Sequence, residues 1–296
     1  MANETITSGL AYPAKLYTNA ISAAFVKKPV VLPQIYAVDW AQQKTAGGLG
    51  SNVVTLRKDG YLTSGGTVSE AASFSTYTQY QTSSVDITII KEAVSSWLSV
   101  ESIDVIGVNE QKIVDEQASA IARKIDTAIL ALASGFSNSV TASALLLVDD
   151  ILDAVYQCTK NTEGVTTKTN AIISRKSANA IKKELKNSAA SVYTLPVMLS
   201  LLGTPGSEVQ SNGHIGSLPG CEVFSSSGFA TGGGDDYQMV FDPAIALAGV
   251  FAPQVKTMII PKGAGNPSFG YEINSYLHYG ITEWNDSAGC FLKSDT

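Results

Sequence analysis

Between Asn109 and Phe136, apolar side chains return every three or four residues: Val114, Ala118, Ile121, Ile125, Ile129 and Leu132. That spacing lays one continuous apolar stripe along a helix. Asn109 stands where an N-cap is needed, Glu110 complements the positive helix end, and Gly135 is a stop signal. No proline interrupts the run. At about 1.5 Å per residue the predicted helix 109–136 is roughly 40 Å long, well beyond the usual three or four turns. A helix of that length acts as a spine on which flatter elements pack.

Ahead of it the patterns are extended. Residues 1–45 show only weak helical spacing (Leu16, Ile21, Phe25) before Pro29 and Pro33, which favour an extended path. This stretch reads as an arm lying over other surfaces, too rich in Leu, Val, Ile, Tyr and Trp for disorder. Residues 46–91 read as a long two-stranded excursion. NVVTLR is one strand, Asp59-Gly60 is a turn signal, and the stretch from Phe74 to Ile90 alternates, with Val85, Ile87 and Ile89 on one face. An isolated hairpin is marginal in water, so this ribbon is expected to rest on another chain.

After the spine, Leu145, Val148, Leu152, Val155 and Tyr156 predict a second amphipathic helix. NAIISRKSANAIKKEL predicts strand, turn and helix, with Ser177 as N-cap. Residues 203–220 are loop-rich, and strands are expected in GCEVFSSS, YQMVFDPAIALAGVF, KTMIIPKG and FGYEINSYLHYGITEW. In the last, Tyr271, Ile273, Ser275 and Leu277 alternate with Glu272, Asn274, Tyr276 and His278.

Composition narrows the function. Only 16% of the 296 residues are charged, and the net charge is −6; few charges among many small polar residues suit a surface covered by neighbours. An acidic chain does not grip nucleic-acid backbones over a wide face, although it can surround them. Cys158, Cys221 and Cys290 are odd in number and far apart, which predicts buried reduced thiols rather than a disulfide framework. The first residues lack the basic and apolar regions of a signal peptide, and no apolar run approaches the ~20 residues of a bilayer span.

Candidate chemistry is thin. His214 and His278 lie in different segments, without C-x-x-C, H-x-x-x-H or H-E-x-x-H spacing, so neither is expected to ligate a metal. Asp149, Asp150 and Asp153 suit a solvated first helical turn, where acidic residues are favoured. Gly232-Gly233-Gly234-Asp235-Asp236 lacks the spacing and terminal Glu of a calcium loop. Gly47-Gly48-Leu49-Gly50 is a hinge rather than a phosphate-binding loop. Lys58 reads as a solvated lysine beside the ribbon turn. The sequence therefore predicts no catalytic, cofactor-binding or metal site, and a chain of this size without one is more readily structural.

The order of elements (arm, ribbon, spine helix, mixed domain, returning strands) resembles the tailed-phage major capsid protein of the Hong Kong 97 fold. SGGTVSEAASFSTYTQYQTSSVDITIIKEAVSSWLSVES is similar to the return strand of that family's E-loop and the lead into its spine. Ala122-Arg123-Lys124-Ile125-Asp126 resembles its spine segment, Ile215 to Val223 its A-domain strand turn, and Phe241-Asp242-Pro243-Ala244 the loop that follows. The resemblance implies an α+β fold with an N-terminal arm at 1–45 and an E-loop at 46–91. It further implies a P-domain at 92–140 and 255–296, and an A-domain at 141–254. It implies a homo-oligomer, hexamers and pentamers of an icosahedral shell enclosing double-stranded DNA without sequence-specific binding. The shell would assemble in the host cytoplasm and become part of the virion, with scaffold, portal and decoration proteins as further partners, and with no cofactor or membrane. Because the arm starts near Met1, any scaffold is expected to be a separate protein. An encapsulin-like compartment shell is the alternative within this fold. An enzyme or ligand-binding α+β protein is the alternative outside it, and it would need a polar pocket.

Overall fold

The computed structural model describes residues 19–25, 29–39, 52–59, 82–99, 110–142, 145–160, 168–187, 213–229, 231–232, 235–252, 254–262 and 270–295. The early strands are β1 (Tyr36–Asp39), β2 (Val53–Asp59), β3 (Thr82–Thr88), β4 (Ile90–Ser99), β5 (Asn138–Thr141), β6 (Thr169–Ser174) and β7 (His214–Leu218). They are followed by β8 (Cys221–Ser226), β9 (Thr231–Gly232), β10 (Asp235–Phe241), β11 (Leu247–Phe251), β12 (Lys256–Lys262), β13 (Gly270–Glu283) and β14 (Gly289–Asp295). Three longer helices are α1 (Glu110–Ala131), α2 (Val148–Thr159) and α3 (Arg175–Asn187).

α1 is the predicted spine. Val114, Ala118, Ile121, Ile125 and Ile129 are all buried. The α-helix stops at Ala131, short of the expected Phe136, because its last turn tightens into a 3-10 turn over Leu132–Gly135. Its 22 residues span about 33 Å. The expected cap Asn109 lies outside the described residues.

β13 organises the first sheet. β4 runs along one edge of it, while β12 and then β11 occupy the other, with β1 adding in parallel to β11. The predicted alternation holds: Ile273, Ser275 and Leu277 are buried, while Glu272, Asn274, Tyr276 and His278 lie on the outer face. The second sheet runs β5-β14-β10-β6-β8-β7, with β9 beside β10. It is covered on both faces. Ile172 on β6 faces the α1 core, whereas its neighbours Ala171 and Ile173 face α2 and α3. All six residues of β6 are buried; its polar ends, Thr169, Asn170 and Ser174, are each hydrogen-bonded, and only Ala171 to Ile173 are apolar. Between β7 and β8 the chain turns at Gly220, whose φ of 78° favours glycine.

Several expectations need correction. α2 buries Val148, Ile151, Ala154 and Cys158, so its inner face is rotated from the predicted one; Leu145 and Tyr156 are exposed at 45% and 64%. The stretch LLLVDDILDAVY carries two overlapping apolar periods, and packing selects the one with small Ala154 at the sheet. Ser174, not Ser177, caps α3: the Ser177 N–H donates to Ser174 Oγ at 3.1 Å. Lys58 and Asp59 belong to the β2–β3 ladder, where Asp59 pairs with Thr82, and Gly60 of the expected turn lies outside the described residues. Residues 214–218, expected as loop, form β7. In strand pairing, β14 joins β10 and β5, while β11 joins β13.

Candidate functional site

The polar groups buried along α1 connect parts of the chain that are distant in sequence. Asp126 is 6% exposed. Its carboxylate accepts the backbone N–H groups of Val30 at 2.8 Å, and of Val31 and Leu32 at 3.2 Å each. Those donors open the 3-10 turn Leu32–Gln34, which has Pro at its start and no cap of its own. Asp126 thus serves as the cap of a turn almost a hundred residues away. Burial pushes its carboxyl above the usual range, while the three N–H donors pull it back. The segment is tied at two further points: Ser22 Oγ donates to the Val255 carbonyl, and Asn170 Nδ2 donates to Gln34 Oε1.

About two and a half turns earlier on the same helix, Gln117 is 1% exposed. Its Nε2 donates to Ser96 Oγ at 2.8 Å and to the Ile273 carbonyl at 3.0 Å, and its Oε1 accepts from Ser275 Oγ at 2.6 Å. A buried amide satisfied on both ends fixes the register of α1 on β4 and β13. Sequence spacing missed both roles. The available signal was a polar residue beside the apolar stripe, Gln117 next to Ala118 and Asp126 next to Ile125.

The ribbon stem forms the second part. β2 and β3 pair over seven residues from Val53↔Thr88 to Asp59↔Thr82, and β3 runs on into β4 through Ile89. Leu56 and Ile87 pack on Ala248 and Val250 of β11, with Val54, Val38 and Trp284 around them. Gly280 permits this crossing, since a Cβ there would meet Ile87 Cγ2 and the Thr88 carbonyl at 2.7 Å. The stem is therefore seated on its own body.

The outer face of β4, β13 and β12 forms the third part. Register places Trp97, Glu272 and Ile260 in one row and Ser95, Asn274 and Met258 in the next. Trp97, Met258 and Ile260 are exposed at 42%, 53% and 37%. Ala93, Tyr276 and Lys256 follow, with the Lys91 ammonium 4.0 Å from the Tyr276 ring centre. His278 lies edge-on to Tyr276; burial and the charges of Lys91 and Lys256 hold it below the usual histidine range.

The residues first considered for chemistry do not converge. His214 stacks edge-on against Phe224 in the second sheet, away from His278 in the first. Asp150 accepts the Leu147 N–H at the start of α2, and Asp149 shares that first turn. Asp153 is on the surface and Asp236 is buried on β10; Gly233, Gly234 and Gly47 to Gly50 lie outside the described residues. Lys58 sits near Glu283 and Asp286, where its charge favours their ionised forms. Among the described residues no group of three or more His, Cys, Asp or Glu could hold a metal. A cleft of about 470 Å³ between α1 and the end of β8 is lined by Arg123, Arg175, Glu116, Asp126 and Ser225 to Ser227; neither histidine reaches it.

No protein-family model and no curated protein matches the sequence. Solved structures do match in fold. The chain superposes on a protein of Mycobacterium phage Che8 with a TM-score of 0.62 at 16% identity, covering 90% of this chain and 91% of that one. The capsid of Ralstonia phage GP4 gives 0.66 at 10% identity, over 91% and 92%. A virus-like particle from Pyrococcus furiosus gives 0.57 at 9% identity, over 95% and 99%. The chain has the Hong Kong 97-type capsid fold. In this fold α1 is the long helix, β13 is the central strand of the first sheet, and the β2–β3 ladder packs on β11.

Proposed function

We propose that this chain is a structural subunit of an icosahedral tailed-phage capsid, not an enzyme, and that it self-associates into hexamers and pentamers around double-stranded DNA. The observation that carries this reading is the two-way coverage: about nine-tenths of this chain aligns with about nine-tenths of the capsid chains of Ralstonia phage GP4 and cyanophage P-SCSP1u. The acidic balance supports a wall that encloses DNA without gripping it. The exposed Trp97, Met258 and Ile260 offer an apolar face to neighbouring copies of the chain. The phage-capsid reading is preferred to a bacterial compartment shell because capsids of Ralstonia phage GP4, bacteriophage PhiM1 and cyanophage P-SCSP1u are among the matched structures.

On this reading 1–45 is the N-terminal arm, 46–91 the E-loop, 92–140 and 255–296 the P-domain, and 141–254 the A-domain. Strand pairing recommends one amendment, counting β14 with the A-domain sheet and β11 with the P-domain sheet. Scaffold, portal and decoration proteins are the partners such a shell would take, and the virion is its final location. The test is negative-stain electron microscopy with light scattering on the purified protein, alongside a variant in which 47–82 is replaced by a short Gly/Ser linker. The intact chain is expected to form shells or capsomer-sized rings, and the variant a folded body that does not assemble. Normal shells from the variant would refute the ribbon's role, and a monomer under every condition that no scaffold protein rescues would refute the shell reading.

A further inference from the structure

Two buried thiols meet where α2 crosses the second sheet. Cys158, the penultimate residue of α2, donates its S–H to the Val240 carbonyl at 3.4 Å. Val240 is the register partner of Cys290 on β14, and both side chains enter the same core as Cys158. The Cys158 sulfur therefore lies over the β10–β14 pair, on the face of the sheet that carries the Cys290 side chain. Cys221 belongs to β8, which is separated from β14 by β10 and β6. At about 4.8 Å per strand it lies roughly 14 Å from Cys290, out of reach of a disulfide.

We propose that Cys158 and Cys290 are a latent cross-linking site, closed by a peroxide into an intrachain disulfide that staples α2 to the C-terminal strand. The Cys290 thiolate attacks one peroxide oxygen, the O–O bond breaks, and a sulfenic acid and water result. The Cys158 sulfur then attacks that sulfenic sulfur; the S–O bond breaks, the S–S bond forms, and a second water leaves. Two thiols lose two electrons and two protons, and one peroxide becomes two waters. The surroundings of the two thiols assign the roles. The neighbouring Cys158, with Lys160, holds Cys290 below the usual thiol range against its burial, whereas the neighbouring Cys290 and burial hold Cys158 above that range. The link would close the chain from residue 158 to residue 290, a long loop of the kind whose cross-linking restricts the unfolded chain most. This inference is independent of the shell reading.

The test treats the purified full chain with hydrogen peroxide, blocks remaining thiols with iodoacetamide, and maps non-reduced peptides by mass spectrometry. A Cys158–Cys290 linked pair with alkylated Cys221 is expected, accompanied by a rise in Tm of about 5–10 °C that dithiothreitol reverses. Cys221→Ala should retain link and rise, whereas Cys290→Ala should lose both; the mapping of the unmutated chain decides the matter if a variant fails to fold. Three alkylated thiols after peroxide, both in buffer and in urea below the unfolding transition, would overturn the proposal. So would a link through Cys221, a stable sulfinic acid at Cys290, or a linked pair with unchanged or lowered Tm.

Discussion

α1 and α2 both press an apolar stripe on a sheet, but they are held by different means. The α1 seam contains Asp126 and Gln117, each buried and each bonded to groups from other parts of the chain. The inner face of α2 has Val148, Ile151, Ala154 and Cys158, and its carboxylate contact falls at the helix start, on Asp150. Apolar packing tolerates small shifts as long as volume is kept. A satisfied buried carboxylate or amide does not, because displacement leaves donors or acceptors without water or partner. α1 is thus fixed in register, and α2 is fixed mainly by shape. α1 thereby fixes the 30–32 segment, through Asp126, relative to β4 and β13, through Gln117.

The largest effect is expected from Ile125→Asp. Ile125 is fully buried in the main core, and a carboxylate there has no partner. Circular dichroism and thermal unfolding should detect no cooperative native state. A soluble, cooperatively melting Ile125→Asp protein would contradict the placement of the stripe.

Asp126→Ala comes next and addresses the difference between the helices directly. It leaves three backbone donors without their acceptor, at a cost of about 3 kcal/mol. The expected phenotype is positional: the body still melts cooperatively, but limited proteolysis cuts within 29–35 before any other described segment. Asp126→Asn, which keeps one accepting oxygen, should fall between. Uniform loosening with no preferred early cut would mean that α1 too is held by shape alone.

Ile151→Val in α2 supplies the counterpart, removing one methylene from a purely apolar contact. It should lower stability by about 1 kcal/mol without changing the proteolytic pattern. A loss as large as that of Asp126→Ala would erase the distinction between the two seams.

How far these features were readable from sequence depends on their range. The α1 stripe, the β13 alternation and the stem strands were visible because each is a local period written by one face of one element. The partner of Asp126 was not. Its donors at Val30 to Leu32 are brought there by the fold, and no spacing rule links residues so far apart. The inner face of α2 was misjudged because Leu145, Val148, Leu152, Val155 and Tyr156 supply an equally periodic stripe, and packing against the sheet selects the one that carries the small Ala154. Ser174 was passed over as a cap because it also completes a buried strand; β6 leads into α3 without a loop. The fold match covers the order of elements, which is what the succession of local periods encodes.

The smallest effect concerns pH, at the foot of the ribbon stem. Glu283 ends β13 and hydrogen-bonds Asp286, with Lys58 of β2 nearby. Burial, then the bond and charge of Asp286, raise Glu283 from 4.5 to about 7, against the opposing charge of Lys58. Burial would raise Asp286 as well, but hydrogen bonds from Ser137 and from the Glu283 carboxyl bring it below its usual range. A raised carboxyl binds its proton more tightly in the folded chain than in the unfolded one. Its stabilisation is therefore complete below about pH 4.5 and is lost as pH rises through about 7. Solvent screening keeps the effect modest because the site is largely open. Tm measured from pH 4.5 to 8 should contain a shallow fall centred in the upper half of that window, and Glu283→Gln should flatten it. If the stem is held by the Leu56 and Ile87 contacts alone, Glu283→Gln will leave the profile unchanged, and the carboxyl pair contributes nothing to seating the ribbon.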